Sequence, residues 1–283
     1  MAKTKLVGSS HAIRSPEFHK KRVRQRKVRN IALALLALII VVAPLVFLRN
    51  QHLLIAKVTV SGNEVTKAED VQAIAMRDLA GAYGWIIPRA STLFYPKSKL
   101  VADVLASSPR LSEVKVERTS ADTINVTVTE RGPKALFCND VSNIESPTKC
   151  YFVDDGGLIY DPAPEFSSGV YLVYTSDSDN SAPVGTNLLP TETFTKLGNF
   201  VANFSLIHLT PKVVVIAQDD YRVILAGGTV VEWRQDADLK TVESNLVSFL
   251  NDPSIFKNGE SIANLAYLDL RIGNKVFYKF KNE

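Results

Sequence analysis

Residues 31–48 read IALALLALIIVVAPLVFL, eighteen in a row without a charge or a polar side chain. As a helix rising about 1.5 Å per residue, the run is roughly 27 Å long, close to the ~30 Å hydrocarbon core of a bilayer. Thirteen of the eighteen are Leu, Ile, Val or Phe. On an insertion scale these favour the membrane by at most roughly 4 to 8 kcal/mol. A helix buried in a water-soluble core would carry a polar face, and this stretch has none. Pro44 lies near its far end, where a membrane helix tolerates proline. The expectation is a transmembrane helix over residues 31–48.

The flanks give that helix a direction. Residues 1–30 hold ten Lys or Arg and a single acid, Glu17, and so carry +9 of a chain whose total is +4. Residues 31–283 are left with −5. The positive-inside rule then puts a basic tail, residues 1–30, in the cytoplasm and residues 49–283 outside. The KKRVRQRKVR run (residues 20–29) is expected to meet anionic lipid headgroups; nucleic acid is not an expected partner. A cleaved signal peptide would need a shorter apolar run and an A-x-A site, and Arg49-Asn50-Gln51 follows instead. An uncleaved anchor is the expectation.

The remaining residues, about 235, are enough for one large or two small cores. Two cysteines, Cys138 and Cys150, fall in this part. Ala135-Leu136-Phe137 precedes the first, Tyr151-Phe152-Val153 follows the second, and NDVSNIESPTK between them is polar and turn-rich. This pattern points to a disulfide across the base of a hairpin, with free thiols as the alternative. A zinc site would need further ligands.

Alternation and helical periodicity place the other elements. Ile55–Ser61 reads as a half-buried strand with Ala56, Val58 and Val60 on one side, ended by Gly62-Asn63. Thr66-Lys67-Ala68-Glu69 has the form of a capping box opening a helix whose apolar face is Val71, Ile74, Ala75 and Leu79. A linker with Trp85, Leu93 and Phe94 leads to a second helix near 98–106, faced by Leu100, Val101, Val104 and Leu105. Leu111–Arg118 and Thr123–Glu130 are alternating strands. Residues 53–132 therefore read β-α-α-β-β.

Residues 133–283 read as mostly β with amphipathic helices. Asp154-Asp155-Gly156-Gly157 marks a hairpin between Tyr151–Val153 and Leu158–Tyr160. Val170–Tyr174 is a short strand, Thr175–Pro183 a loop, and Val213–Ile216 a central strand. Tyr221–Leu225 and Thr229–Trp233 form a second hairpin; Leu265–Arg271 and Lys275–Phe280 form the last. Helices are expected around Phe194–Phe204 and Leu239–Phe249. The fold class is α/β: one N-terminal transmembrane helix, a β-α-α-β-β domain, then a β domain.

Several motifs occur in a telling order: Gly62-Asn63 after the first strand, Ser108-Pro109-Arg110-Leu111 before the second, and Thr129-Glu130-Arg131-Gly132-Pro133-Lys134-Ala135 after the third. Tyr267-Leu268-Asp269-Leu270-Arg271 comes before the final strand. The chain resembles the FtsQ/DivIB bacterial cell-division proteins, with residues 53–132 as a POTRA domain and 133–283 as the β domain. The resemblance implies a bitopic divisome scaffold of the inner membrane, at the division septum, that regulates septal peptidoglycan synthesis by binding. It implies FtsB-like and FtsL-like bitopic division proteins as partners, docking at the C-terminal sheet edge. By position that edge is Tyr267, Arg271, Ile272, Lys275, Val276, Phe277 and Tyr278. A POTRA-bearing assembly or translocation factor is the alternative; those chains usually continue into a long barrel, which is not expected here. A third alternative is an envelope hydrolase held by the one span.

Chemistry does not converge in the sequence. The histidines His11, His19, His52 and His208 are scattered, and no H-x-x-x-H, G-x-S-x-G or phosphate loop occurs. Asp154-Asp155 and Asp219-Asp220 could be paired glycosidase carboxylates but lie at turn positions, where Asp bonds the backbone. Glu130-Arg131 reads as a structural ion pair at the domain junction rather than a catalytic one. Trp85 and Trp233 read as packing residues rather than sugar platforms. No enzyme activity, cofactor, metal or small-molecule substrate is expected. A sheet ending in the C-terminal strand leaves an edge open to a partner strand unless another element covers it. With the tail inside, protease added outside intact spheroplasts should cut at Lys149 in SPTK (146–149); cleavage there only from the cytosolic side would reverse the orientation.

Overall fold

The computed structural model describes residues 16–48, 53–84, 86–140, 148–165, 169–177, 183–256 and 261–281. Trp85, residues 141–147 of the polar turn and residues 178–182 of the expected loop lie outside these. Helix α1 (Pro16–Leu48) runs without a break through both the basic flank and the apolar stretch. Lys, Arg, Gln, Leu and Ala are strong helix formers, and no glycine interrupts them, so the helix starts about four turns before the apolar run. Its segment Lys21–Pro44 is long and apolar enough to cross a membrane, and none of its apolar window is buried among the described residues. It is a candidate single-pass anchor.

Beyond α1 come β1 (Lys57–Ser61), α2 (Ala68–Leu79), β2 (Ala82–Tyr83), β3 (Ile87–Pro88), α3 (Lys97–Ala106), β4 (Leu111–Arg118) and β5 (Thr123–Glu130). β1, β5 and β4 form a sheet in that order, which makes the β-α-α-β-β unit. The β2–β3 ribbon falls inside the stretch expected to be a linker. Val71, Ala75 and Leu79 of α2, Leu100 and Val104 of α3, and Ile124, Val126 and Val128 of β5 are buried. Two expectations need correction: Ala56 is exposed, the strand beginning at Lys57, two residues later than expected, with Ile55 buried instead, and Leu105 is exposed.

The expected capping box does not form as read. Helix α2 begins at Ala68, two residues after Thr66. The amides of Glu64, Val65 and Thr66 donate instead to the Glu130 carboxylate at 3.0, 3.1 and 2.8 Å. A carboxylate from the end of β5 therefore caps a turn some 64 residues away in sequence. Burial pushes the Glu130 carboxyl up, but the amide bonds from Thr66 and Glu64 outweigh it and hold it below its ordinary value. Gly62 makes the neighbouring close approach: its φ is +79°, and a Cβ there would sit 2.3 Å from the Val128 carbonyl oxygen.

The chain packs as two units, one of residues 1–59, 72–100 and 116–126 and the other of residues 60–71, 101–115 and 127–283. The second unit contains a nine-stranded sheet. Its strands are β6 (Ala135–Asp140), β7 (Thr148–Val153), β8 (Ile159–Pro162), β9 (Val173–Ser176), β10 (Pro211–Ile216), β11 (Asp220–Leu225), β12 (Val230–Arg234), β13 (Leu265–Ile272) and β14 (Lys275–Phe280). β9 lies later than expected, so Thr175 is buried in a strand rather than exposed in a loop. The order is β14-β13-β12-β11-β10-β9-β6-β7-β8, with β10 at the centre.

Helix α4 (Thr191–Ala202) joins β9 to the parallel neighbour β10, and α5 (Leu239–Leu250) joins β12 to the parallel neighbour β13. Both crossovers step the same way across strands of one orientation. Right-handed connections then place both helices on one face. Phe194, Leu197, Phe200 and Val201 of α4 and Val242, Leu246 and Phe249 of α5 share a core there with Val214, Val223, Val231, Trp233 and Leu268. Trp233 is fully buried, its ring 5.1 Å from that of Phe200 and 6.0 Å from that of Tyr221.

Within the second unit, Glu130 and Arg131 do not pair with each other. Side chains of adjacent residues on an extended chain point to opposite sides. Arg131 Nη1 donates to Asp154 at 2.5 Å and its Nε to the Pro109 carbonyl at 2.9 Å. Arg110 donates from Nε to Asp161 at 2.8 Å and lies 3.8 Å from Glu130.

On the sheet face opposite the helices, Leu136, Cys138, Val173, Val213 and Val215 form a second apolar cluster. Cys138 and Cys150 face each other in the β6–β7 ladder and are bonded, with Cα atoms 4.1 Å apart. The bond closes a loop with a sequence separation of 12 residues. Replacing both cysteines by serine should lower stability by about 3 kcal/mol in the chain-entropy view, read as an earlier urea midpoint. Reductant should reproduce that shift in the parent chain and not in the variant.

Candidate functional site

The last strand pair assembles the residues singled out in sequence. β13 and β14 are antiparallel and turn at Gly273, whose φ is +50°. Asn245 of α5 donates to the Gly273 carbonyl at 2.8 Å and ties the turn to the helix. Leu268 pairs with Tyr278 on the core face. There Val276 and Phe280 pack on the core, and the Tyr278 ring lies 5.1 Å from that of Phe249. Tyr267 pairs with Lys279, and Asp269 with Phe277, on the other face. Tyr267, Arg271, Ile272, Lys275, Phe277 and Tyr278 are exposed, and Val276 is half-buried. β14 is the outermost strand of the sheet; among the described residues no strand pairs with its outer side.

Arg271 is held by a network that the sequence did not disclose. Its Nη1 is 3.2 Å from Asp220 of β11, its Nη2 is 3.1 Å from Glu232 of β12, and its Nε donates to Asp269 of β13 at 2.9 Å. Arg222 Nη2 pairs separately with Asp177 at 2.7 Å. Asp219-Asp220 looked like turn residues, and only the register of three strands reveals that Asp220 faces Arg271. The Arg271 hydrogen bond holds the Asp269 carboxyl below its ordinary value against burial. Burial pushes Glu232 up, with Arg271 opposing it and Asp269 and Asp220 adding to it. Arg271 itself is raised, first by its bond to Asp269.

The other candidates resolve into structural roles. Asp154 is buried, and its Oδ1 accepts from the amides of Gly156 and Leu158, both at 2.9 Å, while Oδ2 takes Arg131. His208 is exposed and ends a 3₁₀ turn in the left-handed region at φ +61°. A cavity of about 590 Å³ lies against α4, with Lys134, Asp155 and Lys212 as its charged lining residues and no His or Cys. Tyr174 also lines it, and burial pushes its phenol up to about 12, so it stays neutral at physiological pH. Among the described residues no group of His, Cys, Asp and Glu is placed to hold a metal ion.

What the arrangement offers is an outermost strand, β14, beside a charge network. Opposite pH dependences meet in its charge network. Asp269 adds stability above its ordinary pKa and loses it as pH falls through the lower folded value, whereas Glu232 adds stability below its ordinary pKa and loses it as pH rises through the higher one. Residues 53–131 match the family model of the POTRA domain, FtsQ-type. No curated protein matches the chain significantly. Replacing Arg271 by Met leaves Asp220, Glu232 and Asp269 facing one another. Stability near pH 7 should fall by about 1–2 kcal/mol, kept low by the exposure of Arg271. The deficit should shrink as pH falls through the carboxylate range, as measured by urea unfolding at several pH values.

Proposed function

We propose that this chain, an FtsQ/DivIB-type protein over its POTRA domain, is a non-enzymatic scaffold of bacterial cell division. The FtsQ-type POTRA family is a scaffold family, and the apolar helix α1 fits a membrane-anchored member of it. The observation that carries the reading is the position of β14. It is the outermost strand of a nine-stranded sheet, with Phe277 and Tyr278 exposed along it and Ile272 exposed at the end of β13. An edge of this kind accepts a partner strand by main-chain hydrogen bonds, and alternate side chains give specificity.

The partner is a bitopic division protein of the FtsB or FtsL kind, anchored in the same membrane by a helix of its own. Binding sets how much partner is held at the septum and so restrains peptidoglycan synthesis. Tyr267, Ile272 and Phe277 supply the apolar contact, and Lys275 and Lys279 supply charge. In this reading the POTRA and β domains lie outside the cytoplasm, the side that the basic tail favours.

Ile272→Asp and Phe277→Asp leave the core untouched, because both side chains are exposed. Each should weaken co-purification of such a partner from membranes by at least about tenfold, the loss expected of a central contact. Unchanged co-purification, or crosslinks mapping outside residues 265–280, would defeat the reading.

A further inference from the structure

We infer that residues 82–84 and 86–94 lie on the membrane as a second, interfacial anchor, with Ile86, Leu93 and Phe94 entering the headgroup layer beside the end of α1. The inference rests on α1 spanning the bilayer. Three contacts stitch this segment to the chain leaving α1: the Thr92 amide donates to the Leu53 carbonyl at 3.0 Å, the Ile55 amide donates to the Ala90 carbonyl at 2.7 Å, and Leu54 bridges Ser91. Helix α1 ends at Leu48, five residues before Leu53. Five residues reach at most about 18 Å, so the segment cannot leave the neighbourhood of the helix end. β3 also lies beside α1.

The segment turns its apolar side chains outward and its polar ones inward. Tyr83 is 40% exposed, Ile86 52%, Leu93 60% and Phe94 51%, while Ser91 and Thr92 are buried with hydroxyls that have no hydrogen-bond partner. Backbone bonds fix that inversion. The Phe94 amide donates to the Ser91 carbonyl at 3.1 Å, and the Arg89 amide donates to the Gly81 carbonyl at 3.0 Å. Four large apolar side chains this exposed within 12 residues are uncommon on a surface that meets only water. Arg89 lies 5.7 Å from the Tyr83 ring centre, and such an aromatic–cation pair suits the depth of lipid phosphates. A second protein could also cover the patch. The short tether favours lipid, because such a protein would have to fit between the segment and a bilayer surface no farther off than the tether allows.

The test uses the full chain in nanodiscs of phosphatidylethanolamine and phosphatidylglycerol. Single cysteines replace Ile86, Leu93 or Phe94 and are labelled with bimane; Cys138 and Cys150 are bonded and stay silent. Lipids carrying a nitroxide near the headgroup should quench all three probes, and Leu93→Asp with Phe94→Asp should abolish quenching at position 86. A probe at Leu38 in α1, read with a nitroxide deep in the acyl chain, reports the span. Quenching at Leu38 with none at 86, 93 and 94 overturns the inference and leaves the anchor standing. No quenching at Leu38 overturns both. Probes unquenched in nanodiscs but shielded from a water-soluble quencher in native membranes would assign the patch to a protein and overturn the lipid reading.

Discussion

The larger sheet depends on two crossovers that must turn the same way. Parallel neighbours cannot be joined by a tight turn, so β9–β10 and β12–β13 each need a helix between them. Both crossovers step in one direction, and the single hand that such connections favour puts α4 and α5 on the same face, where they build a single core around Trp233. Everything notable elsewhere on the sheet follows from that choice. Among the described residues neither helix covers the opposite face. Toward β6 and β10 that face is closed by the Cys138–Cys150 bond and by Phe152 and Tyr171. Toward β14 it is charged and aromatic, and the sheet simply stops.

Charges in this protein do their work by pairing at long range. Glu130 caps a turn at residues 64–66, Arg131 holds the Asp154 hairpin, Arg110 holds Asp161, and Arg271 gathers acids from three strands. Each pair joins residues far apart in sequence, in places adding side-chain ties to strands the backbone already pairs. Such groups resemble catalytic carboxylate and guanidinium sets in composition. Their setting differs, because each carboxylate is already engaged by amides or an arginine and none of them lines the cavity beside α4.

An anchored scaffold changes what its contacts need to achieve. Two proteins held in one membrane meet at a high effective concentration, so a modest edge contact is enough to hold a partner. The proposed reading uses that advantage: a strand edge and a few exposed side chains replace a large interface. The POTRA domain adds its own constraint, since a short connector keeps residues 53–55 and 90–92 next to the end of α1.

The sequence by itself determined most of the features that rest on local periodicity or composition, missing Ala56, Leu105 and the bounds of β9. Residues 31–48 announce an apolar helix, Leu111–Arg118 and Thr123–Glu130 alternate as the strands they form, and Gly62-Asn63 and Asp154–Gly157 mark real turns. The two amphipathic helices of the second unit were legible as helices but not as crossovers, because periodicity fixes which face is buried and says nothing of which strands are neighbours. The same limit hid the Asp220–Glu232–Asp269–Arg271 network, which exists only once β11, β12 and β13 lie side by side. It also hid the Glu130 cap, since a local box at Thr66–Glu69 scores well without knowledge of a carboxylate 64 residues away. The β2–β3 ribbon escaped because two-residue strands carry no period. Tertiary structure alone decided that β14 is the edge, because strand order depends on how loops close and helices cross, and neither is written in any short window of residues.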